Sequence, residues 1–354
     1  MPVEDAVIDY QTVLCETAVR WISENAPAQL RIGIWGERPP LTNLQRGAVL
    51  LSNAGPTYEL LALGPTRFVI VNPRREAEWN SAQAAATLSK PEINCLLHCG
   101  LDGRDEFLQG LRTNSQWQTL PFPGLPAVTV AWKCDNPLND FADQTLAISL
   151  PARVDRRRLL LWNFILQGIR FEFFDGIRPG DDEILWREMR HMEAYKKIEY
   201  LRGSYIPGAV GCKRSAIAAF QRFLQTEGQI LLLVQDDCQF DAGSRNILQQ
   251  AFNELPTDWE MLYLAASCRS PSKGYSKFWT KLQGARHCTS ILFKRSFIEQ
   301  VLPQLIDCGS ELDVFFEQTH RNRAAFCVLP MVARQSPGFS DITLTRMSNP
   351  NALK

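Results

Sequence analysis

Residues 144–177 constrain the fold most. "QTLAISL" (144–150) is an apolar run of strand length. "PARVDRRRLLLWNFILQGI" follows it, with an arginine-rich start and an amphipathic continuation through Leu159, Trp162, Phe164, Leu166 and Ile169. Gly168 is the expected helix stop. "RFEFFDGI" (170–177) then alternates like a strand and ends in Asp175-Gly176. Strand, helix and strand with short joints make a βαβ unit, and such a unit pairs its strands in parallel. The pattern continues. "GCKRSAIAAFQRFLQTEG" (211–228) reads as a helix with Ile217, Phe220 and Leu224 on one face, and it feeds "ILLLVQDDCQF" (230–240). Ile230–Val234 therefore reads as a buried parallel strand. Asp236 and Asp237 fall just past its carboxyl end, the edge at which open α/β sheets bind ligands.

Two adjacent carboxylates repel each other, and burial raises the cost. A cation answers that repulsion. Mg²⁺ or Mn²⁺ prefers oxygen ligands and commonly takes one or two carboxylates plus substrate phosphates. For an isolated Asp pair, a solvated turn with two surface aspartates is the competing reading. Arg153, Arg156, Arg157 and Arg158 invite a phosphate-binding reading beside it, although two of the four fit a solvated helix face. The charged stretch 180–202 reads as a solvated helix or loop excursion over the sheet.

The chain has 354 residues, more than one core usually serves. Short strand-like runs at 30–35, 48–53, 67–72, 93–99 and 127–132, with helical spacing over 7–24 and 76–89, outline a smaller α/β domain. The polar, turn-rich segment 133–143 sets its boundary, giving domains at 1–140 and 141–354. Cys95 and Cys99 flank His98, but a metal site there needs further ligands at recognisable spacing, so a buried strand is the better reading. Lys+Arg and Asp+Glu both total 38, a balance that argues against a general nucleic-acid binder. The ten cysteines fit reduced thiols in a cytosolic protein. No apolar stretch reaches the length of a transmembrane helix.

The second half resembles glycosyltransferase family 25 over about residues 144–342. "AISLPARVDRRRLLLWNFILQGIRFEFFDGI" is similar to the family's opening, through Asp155, Arg156, Asp175 and Gly176. "PGAVGCKRSAIAAF" resembles its Gly-Cys-x-x-Ser-His helix start, through Gly211, Cys212 and Ser215. "ILLLVQDDCQF" resembles its Glu-Asp-Asp strand end, and "DWEMLYLA" (258–265) its following Trp-containing strand. "SELDVFFEQ" (310–318) carries an acidic position at Asp313, and "LPMVARQSPGFSDI" (329–342) the closing Pro330, Gln335 and Ser340.

The resemblance implies a GT-A-like fold, a Rossmann-type mixed sheet with flanking helices. It implies inverting transfer of a sugar, often galactose from UDP-galactose, to a glycan or lipid-linked acceptor, with Mn²⁺ (or Mg²⁺) at the acidic motif. Asp237 matches the metal-ligand aspartate and Asp236 its neighbour. Asp155, Arg156, Asp175, Gly176, Ser215 and Gln235 are the expected donor contacts. His287 and Gln335 are assigned to the acceptor, with a structural role as the alternative for His287. Asp313 is the expected general base, with a charge favoured by the helix dipole as its other reading and Glu311 as the rival base. The expected setting is cytoplasmic, against the inner face of the membrane if the acceptor is lipid-linked, with a homo-oligomer left open. Three departures bear on activity: Gln235 stands where the family has Glu, Ala216 where it has His, and Ala265 where it has Gly. The alternative is a catalytically weak relative serving as a nucleotide-sugar or glycan-binding module. The absence of a Walker-type loop counts against phosphotransfer.

Overall fold

A computed structural model describes residues 32–36, 48–50, 68–72, 95–99, 111, 116–192, 205–268, 273–342 and 346–347. The chain divides into two compact units, Met1–Asp135 and Asn136–Lys354.

In the first unit, β1 (Ile32–Gly36), β2 (Ala48–Leu50), β3 (Phe68–Asn72), β4 (Cys95–Cys99), β5 (Trp117–Phe122) and β6 (Leu125–Lys133) form one sheet in the order β2-β1-β3-β4-β6-β5. The first four pair in parallel, and β6 runs antiparallel to both β4 and β5. β5 has no counterpart among the expected strands. Its sequence, WQTLPF, has no apolar run and contains Pro121, and it is recruited as the sheet edge by a turn at Gly124, whose φ of 78° suits glycine. The helices expected at 7–24 and 76–89 lie outside the described residues.

The second unit opens with α1 (Leu138–Phe141), β7 (Gln144–Ser149), α2 (Val154–Gln167) and β8 (Glu172–Asp175). Next come α3 (Trp186–Met189), α4 (Tyr205–Leu224), β9 (Ile230–Gln235), β10 (Cys238–Phe240) and α5 (Ser244–Ala251). β11 (Met261–Cys268), β12 (Lys273–Gly274), β13 (Trp279–Lys281) and β14 (Ala285–Lys294) follow. The unit closes with α6 (Arg295–Asp307), α7 (Leu312–Thr319), β15 (Ala325–Val328), β16 (Ala333–Gln335), β17 (Gly338–Phe339) and β18 (Arg346–Met347).

Eight strands form a mixed sheet in the order β12-β13-β15-β11-β14-β9-β7-β8. β7 pairs in parallel with both β8 and β9, as the βαβ pattern requires. α2 ends where Gly168 takes a left-handed φ of 65°. β14 runs antiparallel to β9 and β11, so its beginning lies at the carboxyl ends of those strands.

Phe220 and Phe223 of α4, Phe297 of α6 and Phe316 of α7 bury against Leu231 and Phe293 of the sheet. Phe293 meets Phe220 edge-on at 5.1 Å and stacks on Phe297 at 6.0 Å. Burying each such ring contributes about 1.5–3 kcal/mol.

Two expectations are corrected. The helix expected from residue 211 begins at Tyr205. Pro207 is tolerated in its first turn. Gly208 and Gly211 then fall inside the helix, where they admit neighbouring backbone: a Cβ on Gly211 would come within 2.3 Å of the Ile177 carbonyl oxygen, and one on Gly208 within 2.9 Å of Ile342 Cα. The described part of the charged stretch, residues 180–192, is also more than a solvated excursion; the rest of it lies outside the described residues. Glu188 is buried and paired with Arg214 at 2.7 Å. The fully buried Lys213 ammonium donates to the carbonyls of Glu188, Cys308 and Ser310, tying this segment to the turn before α7.

Candidate functional site

The parallel register decides what meets at the sheet edge. Ile148 pairs with Gln235, so Ser149 and Asp236 emerge side by side. Ser149 Oγ donates to Asp236 Oδ2 at 2.9 Å. α2 starts a few residues after β7 and carries its arginines to the same edge. Arg156 Nη1 donates to Asp236 Oδ1 at 2.7 Å. Within the protein, the positive charge that answers the aspartate pair is Arg156.

Asp237 is held differently. β10 pairs with β16, setting Cys238 opposite Gln335, and Gln335 Nε2 donates to Asp237 Oδ2 at 2.7 Å. Asp237 Oδ1 is buried without a hydrogen-bond partner. Burial first, then the charge of Asp236, pushes this carboxyl up to about 6, against the opposing pull of Gln335 and Arg156.

These residues line a cleft of about 150 Å³, with Gly176, Arg178, Cys212, Ser215, Gln235 and the segment Ser340–Ile342 completing its walls. That volume is below the roughly 300–1,000 Å³ usual for small-molecule sites. The closing segment accounts for the narrowness. Arg156 Nη2 donates to the Phe339 carbonyl, Arg153 pairs with Asp341, and Arg178 Nη1 reaches the Asp341 carbonyl at 3.5 Å.

The expected donor residues fall into two groups. Arg156, Gly176, Ser215 and Gln235 line the cleft together with both aspartates. Ser215 is already engaged, donating to the Gly211 carbonyl at 2.6 Å and accepting the Ile177 N–H at 2.8 Å. Gln235 Nε2 reaches Cys212 Sγ at 3.4 Å. Asp155 and Asp175 are outside the cleft lining. Asp155 is exposed and paired with Arg153 at 2.8 Å, and Asp175 is exposed and paired with Arg157 at 2.5 Å. Gln335, expected at the acceptor, lines the cleft and donates to Asp237.

Asp313 lies in the first turn of α7, behind Glu311 at the N-cap. Its field reaches the cleft: burial, then the carboxylates of Asp313, Asp237 and Asp236, push the Cys212 thiol up to about 12. Cys288 is raised by burial and then by Asp313. Glu311, the rival base, is buried and accepts a hydrogen bond from the Tyr205 hydroxyl at 3.1 Å. His287 stands near the start of β14, where the pairing with β11 is irregular, with φ at 69° and Nδ1 buried without a partner. Positive φ at a non-glycine residue is strained and clusters at functional positions.

Ala216, one of the departures, is fully buried among the core side chains, so this position packs the helix against the sheet and does not face the cleft. Sequence reasoning missed Ser149, Arg178 and Asp341. The strand-end logic that singled out Asp236 would have found Ser149. No sequence signal marks the other two.

Among the described residues, no three His, Cys, Asp or Glu side chains gather into a self-sufficient metal site. The unspent, buried Asp237 Oδ1 fits an ion that draws its remaining ligands from phosphate and water.

Residues 142–305 match the model of glycosyltransferase family 25 (LPS biosynthesis protein), the family that the sequence motifs resemble. The match supports a transferase. Asp313 and Gln335 lie beyond the matched stretch. No curated protein matches the chain. Among solved structures, "Crystal Structure of A197 from STIV" aligns with 60% of this chain and 96% of its own, at 13% identity and TM-score 0.31. Mannose-1-phosphate geranyltransferase from Thermus thermophilus aligns with 52% of this chain and 58% of its own, at 9% identity and TM-score 0.27. With TM-scores this low, neither likeness decides fold or activity. No helix among the described residues is long and apolar enough to cross a membrane.

Proposed function

We propose that the second unit is a GT-A-like transferase that moves a sugar, galactose being the leading candidate, from a UDP-sugar to a hydroxyl of a glycan or lipid-linked acceptor, with inversion. The observation that carries this reading is Asp237 Oδ1, a buried carboxylate oxygen left unspent at the carboxyl edge of parallel strands, with guanidinium groups in the same cleft. Asp237 Oδ1 would hold Mn²⁺ or Mg²⁺, and the ion when bound neutralises the donor diphosphate as the sugar leaves.

The protein's own groups divide the remaining work. Arg156 and Arg178 line the cleft and offer planar donors to phosphate oxygens. Gln335 fixes the Asp237 carboxylate, and Ser149 fixes Asp236. Asp313 takes the proton of the acceptor hydroxyl as that oxygen attacks the anomeric carbon from the face opposite the departing nucleotide. The setting is cytoplasmic, at the inner face of the membrane where the acceptor is lipid-linked.

A second reading is a nucleotide-sugar or glycan-binding module with weak turnover. Gln235 favours it, because this amide at the acidic motif carries no charge and is engaged with Cys212. Incubation of UDP-galactose with Mn²⁺ and saccharide acceptors, read by proton NMR of the product, separates the two. A transferase of this kind gives a product of inverted anomeric configuration that Asp313→Asn abolishes. Retained configuration overturns the inverting mechanism, and binding without turnover favours the module.

A further inference from the structure

A second cavity, of about 520 Å³, opens between the start of β14 and α7. Gln283, Arg286, Glu317, Gln318, Arg321 and Asn322 supply its polar lining, and Val314 its apolar contact. The volume is within the roughly 300–1,000 Å³ typical of small-molecule sites.

Its place ties it to the candidate chemistry. Glu317 follows Asp313 by four residues on α7, so the two share one helix face about one turn apart. Arg286 precedes the strained His287 on β14. The cavity thus starts one helical turn from the candidate base, at the sheet edge that carries Asp236 and Asp237.

Its chemistry is that of hydroxyl recognition. All six polar side chains end in planar amide, carboxylate or guanidinium groups, which present donors and acceptors at fixed angles. Arg286 Nε and Glu317 Oε2 are 2.7 Å apart and hold each other in place. A sugar ring answers such a lining, because each hydroxyl both donates and accepts while the ring C–H face packs on an aliphatic group such as Val314. Among the described residues, Val314 is the one apolar side chain of the lining and no aromatic ring joins it, so a nucleobase or an apolar ligand is answered less well than a sugar.

We infer that this cavity is a saccharide site and, resting on the transferase reading above, that it receives the acceptor sugar beside Asp313. The test is saturation-transfer NMR with lactose, maltose and methyl β-glucuronide on the full chain, with UDP titrated calorimetrically in parallel. The variants are Gln318→Trp, an exposed position where a large side chain fills the cavity, and Glu317→Gln, which removes the ion pair. Saturation of ring protons on at least one saccharide is expected, falling roughly tenfold in both variants as a good polar contact is lost, with UDP binding unchanged. Absence of transfer to all three saccharides in the wild type overturns the inference, as does transfer that Gln318→Trp leaves intact. Gln318-dependent saccharide binding without any UDP binding keeps the saccharide site and overturns the donor reading.

Discussion

Arg156 Nη1 stands 2.7 Å from Asp236 Oδ1 and 3.9 Å from Asp237 Oδ2. One guanidinium therefore serves both members of an acidic pair, and its other terminal nitrogen holds the Phe339 carbonyl of the segment that narrows the cleft. Removing it leaves a largely buried carboxylate without its counter-charge, which typically costs about 3–5 kcal/mol. Arg156→Ala is expected to lower the melting temperature and weaken UDP binding together. Arg156→Lys should restore only part of each, because a lysine cannot span two acceptors in a fixed fork. Differential scanning calorimetry and UDP titration on both variants check this.

Asp237 is expected to trade stability for function. Its carboxyl titrates at about 6, above the ordinary 3.8, chiefly through burial. Such a group contributes most stability when protonated, at low pH, and that contribution is lost as pH rises through 6. In metal-free protein at pH 7.5, Asp237→Asn should therefore gain on the order of 1–2 kcal/mol while losing transfer. Near pH 4 the gain should vanish. Urea denaturation at the two pH values reads the difference, and a loss of stability at pH 7.5 would count against the buried, unspent carboxylate.

His320 should make the fold acid-sensitive. Its Nδ1 accepts the Ala285 N–H at 3.1 Å, so the neutral ring carries its proton on Nε2, 2.9 Å from the Tyr263 hydroxyl. Burial lowers its pKa to about 4 from 6.5. The unfolded chain takes up a proton below pH 6.5 and the folded chain only near 4, so stability falls as pH drops through that window, by roughly 3 kcal/mol at most. Asp237 works in the opposite direction over this range, so the His320 contribution is read as the difference between wild type and His320→Gln. His320→Gln is expected to be the weaker protein at pH 7.5, and that difference should shrink as pH falls from 6.5 to 4.

Gly211 tests the wall of the cleft. A methyl there meets the Ile177 carbonyl oxygen at 2.3 Å. Because the obstacle is backbone, α4 or the turn after β8 must shift, at about 1–3 kcal/mol for overpacking. Gly211→Ala is expected to lower the melting temperature and weaken UDP binding. A neighbouring Ala218→Ser change, on the same helix but away from the contact, should leave both near wild type.

The parallel core of the second unit was legible because the residues of β7, α2 and β9 follow two different periods, and strand-end logic then pointed to Asp236 and Asp237. Their electrostatic partner was not. Arg153, Arg156, Arg157 and Arg158 look alike in sequence, and only the register of α2 against β9 selects Arg156 for the pair. Gln335 reaches Asp237 through the β10–β16 bridge, a contact across most of the unit that no local pattern reports. The helix start at Tyr205 was hidden because Pro207, Gly208 and Gly211 read as punctuation, whereas the close approach of Ile177 and Ile342 explains the two glycines inside a helix. β5 was missed for a related reason, since its edge position in the sheet tolerates Pro121.

The central claim, a nucleotide-diphosphate site at Asp237, is tested most directly by calorimetric titration of UDP into the full chain, with and without Mn²⁺, for wild type and Asp237→Ala. Mn²⁺ is expected to strengthen binding in the wild type, and Asp237→Ala to remove that Mn²⁺ dependence. UDP binding that is absent under both conditions, or equally strong in Asp237→Ala, would contradict it.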